Sequence, residues 1–264
     1  MIIDFHTHAY SDDIAPLVFA KLMKNAEGYF VPDGNLTISS LLEHMDKNGI
    51  NVSVLHTVVT KASQFEKANL WAKSVRSERI IPFGAMYPHT DDYRRDIDFL
   101  VEMGFPGVKF HAEYQDFELD APFMMKIYDY ALSQGLMILH HAGADPAAKP
   151  PYKSSPQQFA KVMQAMPGGI IIAAHFGGHK QWADVEKHLA GTEIYLDTSM
   201  GFAYFGEEQF RRILEKHGAD RVLFATDSPW SNSGQERKSL QSLGLPKDDE
   251  AKILGGNARR LLGI

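Results

Sequence analysis

Cysteine is absent from all 264 residues. That excludes a disulfide framework and any thiolate-held metal, so an ion bound by this chain must be held by histidine and carboxylates. Basic clusters are missing too: 27 Lys and Arg stand against 33 Asp and Glu, for a net charge of -6. Neutralising a phosphate backbone needs lysine and arginine gathered on one face, so no nucleic-acid partner is expected. No apolar run approaches the roughly 20 residues of a membrane span, and no basic segment followed by an apolar stretch and a cleavage site opens the chain. No membrane partner is expected, and the cytoplasm is the default location. Neither G-x-G-x-x-G nor G-x-x-x-x-G-K-[ST] occurs at a strand-to-helix turn, which argues against an open nucleotide-binding sheet.

What is there is a globular composition, 44% hydrophobic and 23% charged, in a length ordinary for one barrel. Apolar, β-rich runs alternate with helical stretches. Strands are expected at the start of the chain and at 50–57, 80–86, 107–111, 136–141, 170–175, 193–197 and 222–226. Helices are expected near 14–24, 38–47, 62–77, 93–103, 122–133, 156–166, 182–189 and 207–217, several with clear stop or start signals such as Asn48-Gly49 and Ser155-Pro156. Eight β/α units imply a parallel sheet with right-handed crossovers closed as a TIM (β/α)8 barrel, a single domain over 1–264. Strands such as Ile170-Ile171-Ile172-Ala173-Ala174 are apolar on both parities, as doubly covered strands should be. Residues 9–36 form the longest interruption and are read as a lid insertion, with a surface loop of no function as the alternative. Asn257, after Gly255-Gly256, is expected to N-cap a final helix 258–262.

The chemistry-bearing residues collect at the carboxyl ends of these strands, the face where active sites of such barrels assemble. His6 and His8 lie on one face of the first strand; Lys109 and His111 end the fourth, His140 and His141 the fifth, His175 the sixth and Asp227 the eighth. An i, i+2 histidine pair supplies half of a four-coordinate site. His56, Tyr87, His89, Tyr114, Thr198, Trp230 and Ser231 fall near the same face as candidate pocket walls, each equally readable as packing.

Taken together, Asp4-x-His6-x-His8, Gly107-Val108-Lys109-Phe110-His111, His141-Ala142-Gly143, Ala174-His175-Phe176-Gly177-Gly178, Ala225-Thr226-Asp227-Ser228-Pro229 and the tail Gly256-Asn257-Ala258-Arg259-Arg260 resemble the amidohydrolase superfamily. The similarity is to its amidohydrolase-2 branch, which includes aminocarboxymuconate semialdehyde decarboxylase. The resemblance implies one divalent metal ion, zinc as a rule, held by His6, His8, His141 and Asp227, with His175 as catalytic base and Asp227 orienting the water. It selects His141 over the adjacent His140. Lys109 is read as an ammonium that binds a substrate carboxylate, with a carboxylated lysine bridging two metals as the alternative. His111, Tyr114 and Trp230 complete the expected substrate contacts.

A divalent ion with an open position acidifies water to a pKa of about 7 and polarises carbonyls, and an imidazole with a pKa near 6.5 is suited to accept a proton. The expected activity is hydrolysis of a small carboxylate-bearing molecule. The alternatives are decarboxylation at the same metal site and a non-catalytic binding barrel. Homo-oligomerisation is left open.

Overall fold

In the computed structural model, which describes residues 1–264, β1 (Ile3–His8) lies beside β2 (Val52–His56), and β2 beside β3 (Ile80–Pro82), all parallel. A second parallel run continues in chain order through β4 (Gly84–Ala85), β5 (Gly107–Phe110), β6 (Met137–His140), β7 (Ile171–Ala173), β8 (Tyr195–Asp197) and β9 (Val222–Leu223). Helices intervene between the strands, as an α/β barrel requires. The ninth strand arises because the expected run 80–86 serves two partners. Ile81 and Pro82 pair with Val54 and Leu55, whereas Gly84 and Ala85 pair with Val108 and Lys109. Phe83 N–H makes the last bond to β2, donating to Leu55 O at 2.9 Å, and the chain then turns to its other neighbour.

The ladders are therefore not continuous around the barrel, and the seam between last and first strands is made differently. Phe5 N–H donates to Phe224 O at 2.9 Å, Asp227 N–H to His6 O at 2.8 Å and His8 N–H to Ser228 O at 2.7 Å. Behind these bonds the buried Asp4 carboxylate accepts from Thr226 N–H at 3.0 Å and from Thr226 Oγ1 at 2.6 Å. Burial pushes Asp4 up to about 7.

Strand pleat decides which side chains reach the barrel axis. Ile3, Phe5, Val54, Leu139, Ile172 and Leu223 belong to a strand-derived interior cluster, and a larger cluster lies between strands and helices. On β6, Met137 and Leu139 point inward, and so does His141. Ile138 and His140 point outward, and His140 sits among Phe110, Tyr128 and Phe159, its ring 5.2 Å from that of Phe110. On β5 the same parity sends Val108 and Phe110 outward and Lys109 inward.

Most helices begin where the sequence signals it. Ser155 and Gln158 form a capping box ahead of Pro156 at the start of the helix Pro156–Ala165, and Gly49, at φ 68°, ends the helix Ile38–Asn48. The helix Ser233–Ser242 has no apolar stripe to announce it and was not anticipated; Asn232 caps it by accepting from Gln235 N–H at 2.9 Å. No helix is long and apolar enough to cross a membrane.

Asn257 does not cap the last helix. Its backbone is already helical, the cap position is Gly256, and its side chain is fully buried. There Nδ2 donates to Ala219 O at 2.7 Å and Val222 O at 2.8 Å, fastening the terminal helix to the root of β9. Glycine-rich sequence before an asparagine looks like a cap, but the amide is used as a donor, not as an acceptor. Asn257→Ala should therefore strip Val222 O of this donor, leave Ala219 O with the Val222 N–H alone, and cost about 2 kcal/mol. Asn257→Asp, harmless at a cap, should be at least as damaging; denaturant titration of both variants checks this.

His217, at the end of the helix Glu207–His217, is buried and accepts from Gly191 N–H at 3.2 Å. Burial holds it down at about 4, below its ordinary 6.5. A folded value below the unfolded one gives stability that is complete above pH 6.5 and lost as the pH falls towards 4. The slope is about 1.4 kcal/mol per pH unit per proton. His217→Asn, which keeps an acceptor for Gly191, should flatten the acid-side fall in thermal midpoint by roughly that slope.

Candidate active site

His6 and His8 leave β1 with their outer nitrogens engaged. His6 Nδ1 faces Asp197 Oδ2 at 2.9 Å, and His8 Nδ1 faces the His56 carbonyl at 2.8 Å. A carbonyl and a carboxylate can only accept, so both rings carry their proton on Nδ1 and present a bare Nε2. The two Nε2 atoms converge on Asp227 Oδ1, at 3.4 Å from His6 and 2.9 Å from His8. Burial, followed by the Lys109 charge, holds His6 well below its usual pKa, so it stays neutral. Two imidazole nitrogens and a carboxylate directed at one point are a donor set for a borderline divalent ion.

Asp197 does more than orient His6. Its Oδ1 accepts the backbone N–H groups of His175 and Ser199, each at 3.0 Å, and the Ser199 hydroxyl. Ser199 Oγ in turn lies 2.9 Å from His175 Nδ1. With the Ser199 proton given to Asp197, His175 must donate from Nδ1, leaving its Nε2 as acceptor. That Nε2 lies 3.0 Å from His141 Nδ1. The same logic then puts the His141 proton on Nδ1 and leaves its Nε2 bare, buried and without a partner. One proton assignment thus satisfies the whole series and frees the lone pair that a metal ligand needs. Burial, with His141 next, keeps His175 well below its ordinary pKa, in the base form.

Lys109 Nζ lies 3.0 Å from His6 Nε2 and is almost completely buried. Burial lowers it to about 8, against the opposing pull of Asp227 and Asp197. His111, stacked between Tyr114 (ring centroids 3.9 Å apart) and His141 (4.2 Å), accepts Tyr114 N–H on Nδ1 and so carries its proton on Nε2, 3.5 Å from Asp145 Oδ2. His111, His141 and Asp145 gather closely enough to hold an ion, yet that proton occupies the nitrogen a metal would need. Burial pushes Asp145 up, but His111 and His141 outweigh it and hold the carboxyl below its usual range. His175 at φ 56° and Asp227 at φ 67° both sit in the left-handed region, strain of about 1–3 kcal/mol each that the surrounding bonds must hold. At Gly143 a Cβ would meet His179 N at 2.3 Å, so the turn after His141 tolerates only glycine.

His6, His8, Lys109, His111, Tyr114, His141, His175, Asp227 and Trp230 all line one cavity of about 690 Å³. A model of the amidohydrolase family matches residues 3–264. The chain belongs to the amidohydrolase family. It is an enzyme of the amidohydrolase type, in a family whose chemistry generally depends on metal. No curated protein matches the sequence. Solved structures similar to this amidohydrolase include an uncharacterised TIM-barrel protein from Bordetella bronchiseptica, at 18% identity and TM-score 0.78 over 99% of this chain and 98% of that one. A 2,6-dihydroxybenzoate decarboxylase from Rhizobium is 18% identical with TM-score 0.70 over 99% and 98%. A probable 2-pyrone-4,6-dicarboxylic acid hydrolase from Acinetobacter baumannii is 18% identical with TM-score 0.70 over 100% and 99%. These likenesses carry the TIM-barrel fold.

Other candidates from the sequence lie outside the cavity. His56 donates to Phe5 O at 2.9 Å, His89 contacts Gln115 O at 3.0 Å, Thr198 bonds Ala225 O at 3.0 Å and Ser231 bonds Glu236 at 2.6 Å. Tyr87 packs edge-on to His89. Conversely, Asp197, Asp145 and His179 were not singled out from the sequence. Asp197 could have been, because it ends β8 on the inward parity; Asp145 and His179 lie in loops, where no periodicity marks them.

If Asp197 fixes the His6 tautomer, Asp197→Asn should weaken metal binding by about 10- to 100-fold, the usual cost of losing an outer-shell partner. Titration against a chelator of known affinity measures this without any substrate.

Proposed function

We propose that this amidohydrolase holds one divalent ion, zinc, on His6, His8, His141 and Asp227, and hydrolyses a small carboxylate-bearing molecule. The observation that carries this reading is the convergence of His6 Nε2 and His8 Nε2 on Asp227 Oδ1, each ring locked from behind through Nδ1. His141 is not among the closely gathered trio of His6, His8 and Asp227, but its buried, unpartnered Nε2 in the same cavity supports it for the fourth position once the ring moves toward them. When bound, the ion would supply Lewis acidity, polarising a carbonyl and acidifying a water.

The other groups have separate tasks. His175 accepts the proton of the nucleophile on Nε2, since Nδ1 is committed to Ser199, and the His141 Nδ1–H that Nε2 accepts must turn away before it does so. Asp227 keeps the attacking water oriented. Lys109 is mainly cationic at neutral pH and binds the substrate carboxylate as a point charge. His6 Nε2 has a single lone pair, so Lys109 and an ion are alternative partners for it. His111, Tyr114 and Trp230 form the walls against the substrate, and residues 9–36 act as a lid, their helix Ala15–Ala26 lying over the cavity. The likeness to decarboxylase barrels supports a second reading, in which the same ligands and His175 serve loss of carbon dioxide from the substrate carboxylate.

Metal analysis should find one ion per chain. His8→Ala should lose it, whereas His175→Ala should keep it while turnover falls by about 10² to 10⁴. Loss of the ion in His175→Ala, or two ions per parent chain, would overturn the assignment. On a panel of lactones, amides and aromatic carboxylates, new titratable acid identifies hydrolysis and released carbon dioxide identifies the second reading.

A further inference from the structure

The cavity has two chemically different halves. Its floor is the histidine and carboxylate site. Its upper part lies between two helices, Ala15–Ala26 and Phe65–Ser74, that face each other across the opening. Ile14, Leu17, Val18, Leu22 and Ala26 line it from the first helix. Their spacing of i, i+3, i+4, i+8 and i+12 makes an apolar stripe, flanked by Lys21 and Asn25, of the kind a helix ordinarily buries against a core. Here it is turned to the cavity, and Leu17 remains 72% exposed and Ile14 37% exposed. The opposite helix offers Ala68 and Trp71 at the same kind of spacing, both only half-buried. Two lysines stand at this rim, Lys21 on the first helix and Lys67, which is paired with Asp13 at 3.1 Å.

Building on the carboxylate reading of the site, we infer that the substrate is amphiphilic: its carboxylate head lies at the Lys109 and histidine floor, and an alkyl or aryl extension of several carbons runs between Val18, Leu22, Ala68 and Trp71. Three observations converge on this. An apolar stripe on a helix lines the space, its Val18 and Leu22 only partly covered by the cluster of Ala15, Leu36, Met200 and Trp230; Ala68 and Trp71 face it from a wall that is otherwise polar; and this space is continuous with the site. A cavity of about 690 Å³ falls in the range of about 300–1,000 Å³ that holds whole drug-sized ligands, well beyond what one ring with a carboxylate fills. Trp230, tilted against Phe30 at 4.8 Å and stacked on Phe19 at 6.0 Å, braces the first helix from the adjoining cavity wall. The stripe is thereby held in place as a wall.

The test is a binding series on the metal-loaded protein, using benzoate and 4-alkylbenzoates from methyl to hexyl, followed by calorimetry. Burying a methylene contributes about 0.8 kcal/mol, so each added carbon should tighten Kd about fourfold until the space is filled, with a progressively more negative heat-capacity change. Leu22→Gln and Val18→Gln, made separately so that a folding defect in one does not decide the matter, should flatten that dependence. Metal-dependent benzoate binding with no gain along the series would overturn the apolar extension and leave the carboxylate reading standing. Failure of every member to bind would overturn the carboxylate reading, and this one with it.

Discussion

The hydrogen bond between His6 Nδ1 and Asp197 Oδ2 is the contact on which the rest of the site depends. A carboxylate buried in the mouth of a barrel is costly, and burial pushes Asp197 up to about 6 in spite of the donors around it. Those donors come from separate strand ends: the His6 ring from β1, the His175 amide from the turn after β7, and the Ser199 amide and hydroxyl just beyond β8. One acceptor therefore sets the direction of a lone pair on His6 and, through Ser199, on His175. Without it, both rings could flip tautomer and the convergence on Asp227 would lose its chemistry while keeping its shape.

Much of the barrel was legible because it rests on periodicity. Alternating apolar runs and helical stretches mark the units; His141 was preferred over His140 through the family resemblance, and in the structure His141 shares the inward parity of Met137 and Leu139 while His140 packs outward. Histidines at strand ends drew attention because that residue type is uncommon there without a purpose. The rest was hidden for identifiable reasons. Asp197 looked like an ordinary polar residue closing a strand, since what it accepts comes from parts of the chain distant in sequence. The divided strand 80–85 depends on which neighbour each half meets, which composition does not record. Asn257 displayed the residues of a cap, yet tertiary contact with Ala219 and Val222 reversed its role from acceptor to donor.

The amidohydrolase family model and the solved barrels agree on architecture, and architecture leaves chemistry open. Hydrolases and decarboxylases are both found among the similar structures. Above the floor, the cavity is walled by the helix Ala15–Ala26 and the loops around Trp230. The floor recruits residues from nearly every strand end, so it tolerates little change. The upper walls come from an insertion and one connecting helix, where substitution leaves the strands undisturbed.

The seam between β9 and β1 gives the ligand set an order of assembly. His6 and His8 are among the first residues of the chain, whereas Asp227 follows the last strand, and Asp4 and Thr226 fasten the two ends beside them. The three atoms that converge cannot meet until the chain has been wound through every β/α unit and the first strand has found the last. Any metal affinity of this trio is thus a property of the completed ring alone. An ion bound there would work as a clasp, drawing the closed state away from partly wound ones, so metal supply would govern how long the folded enzyme lasts as well as what it catalyses.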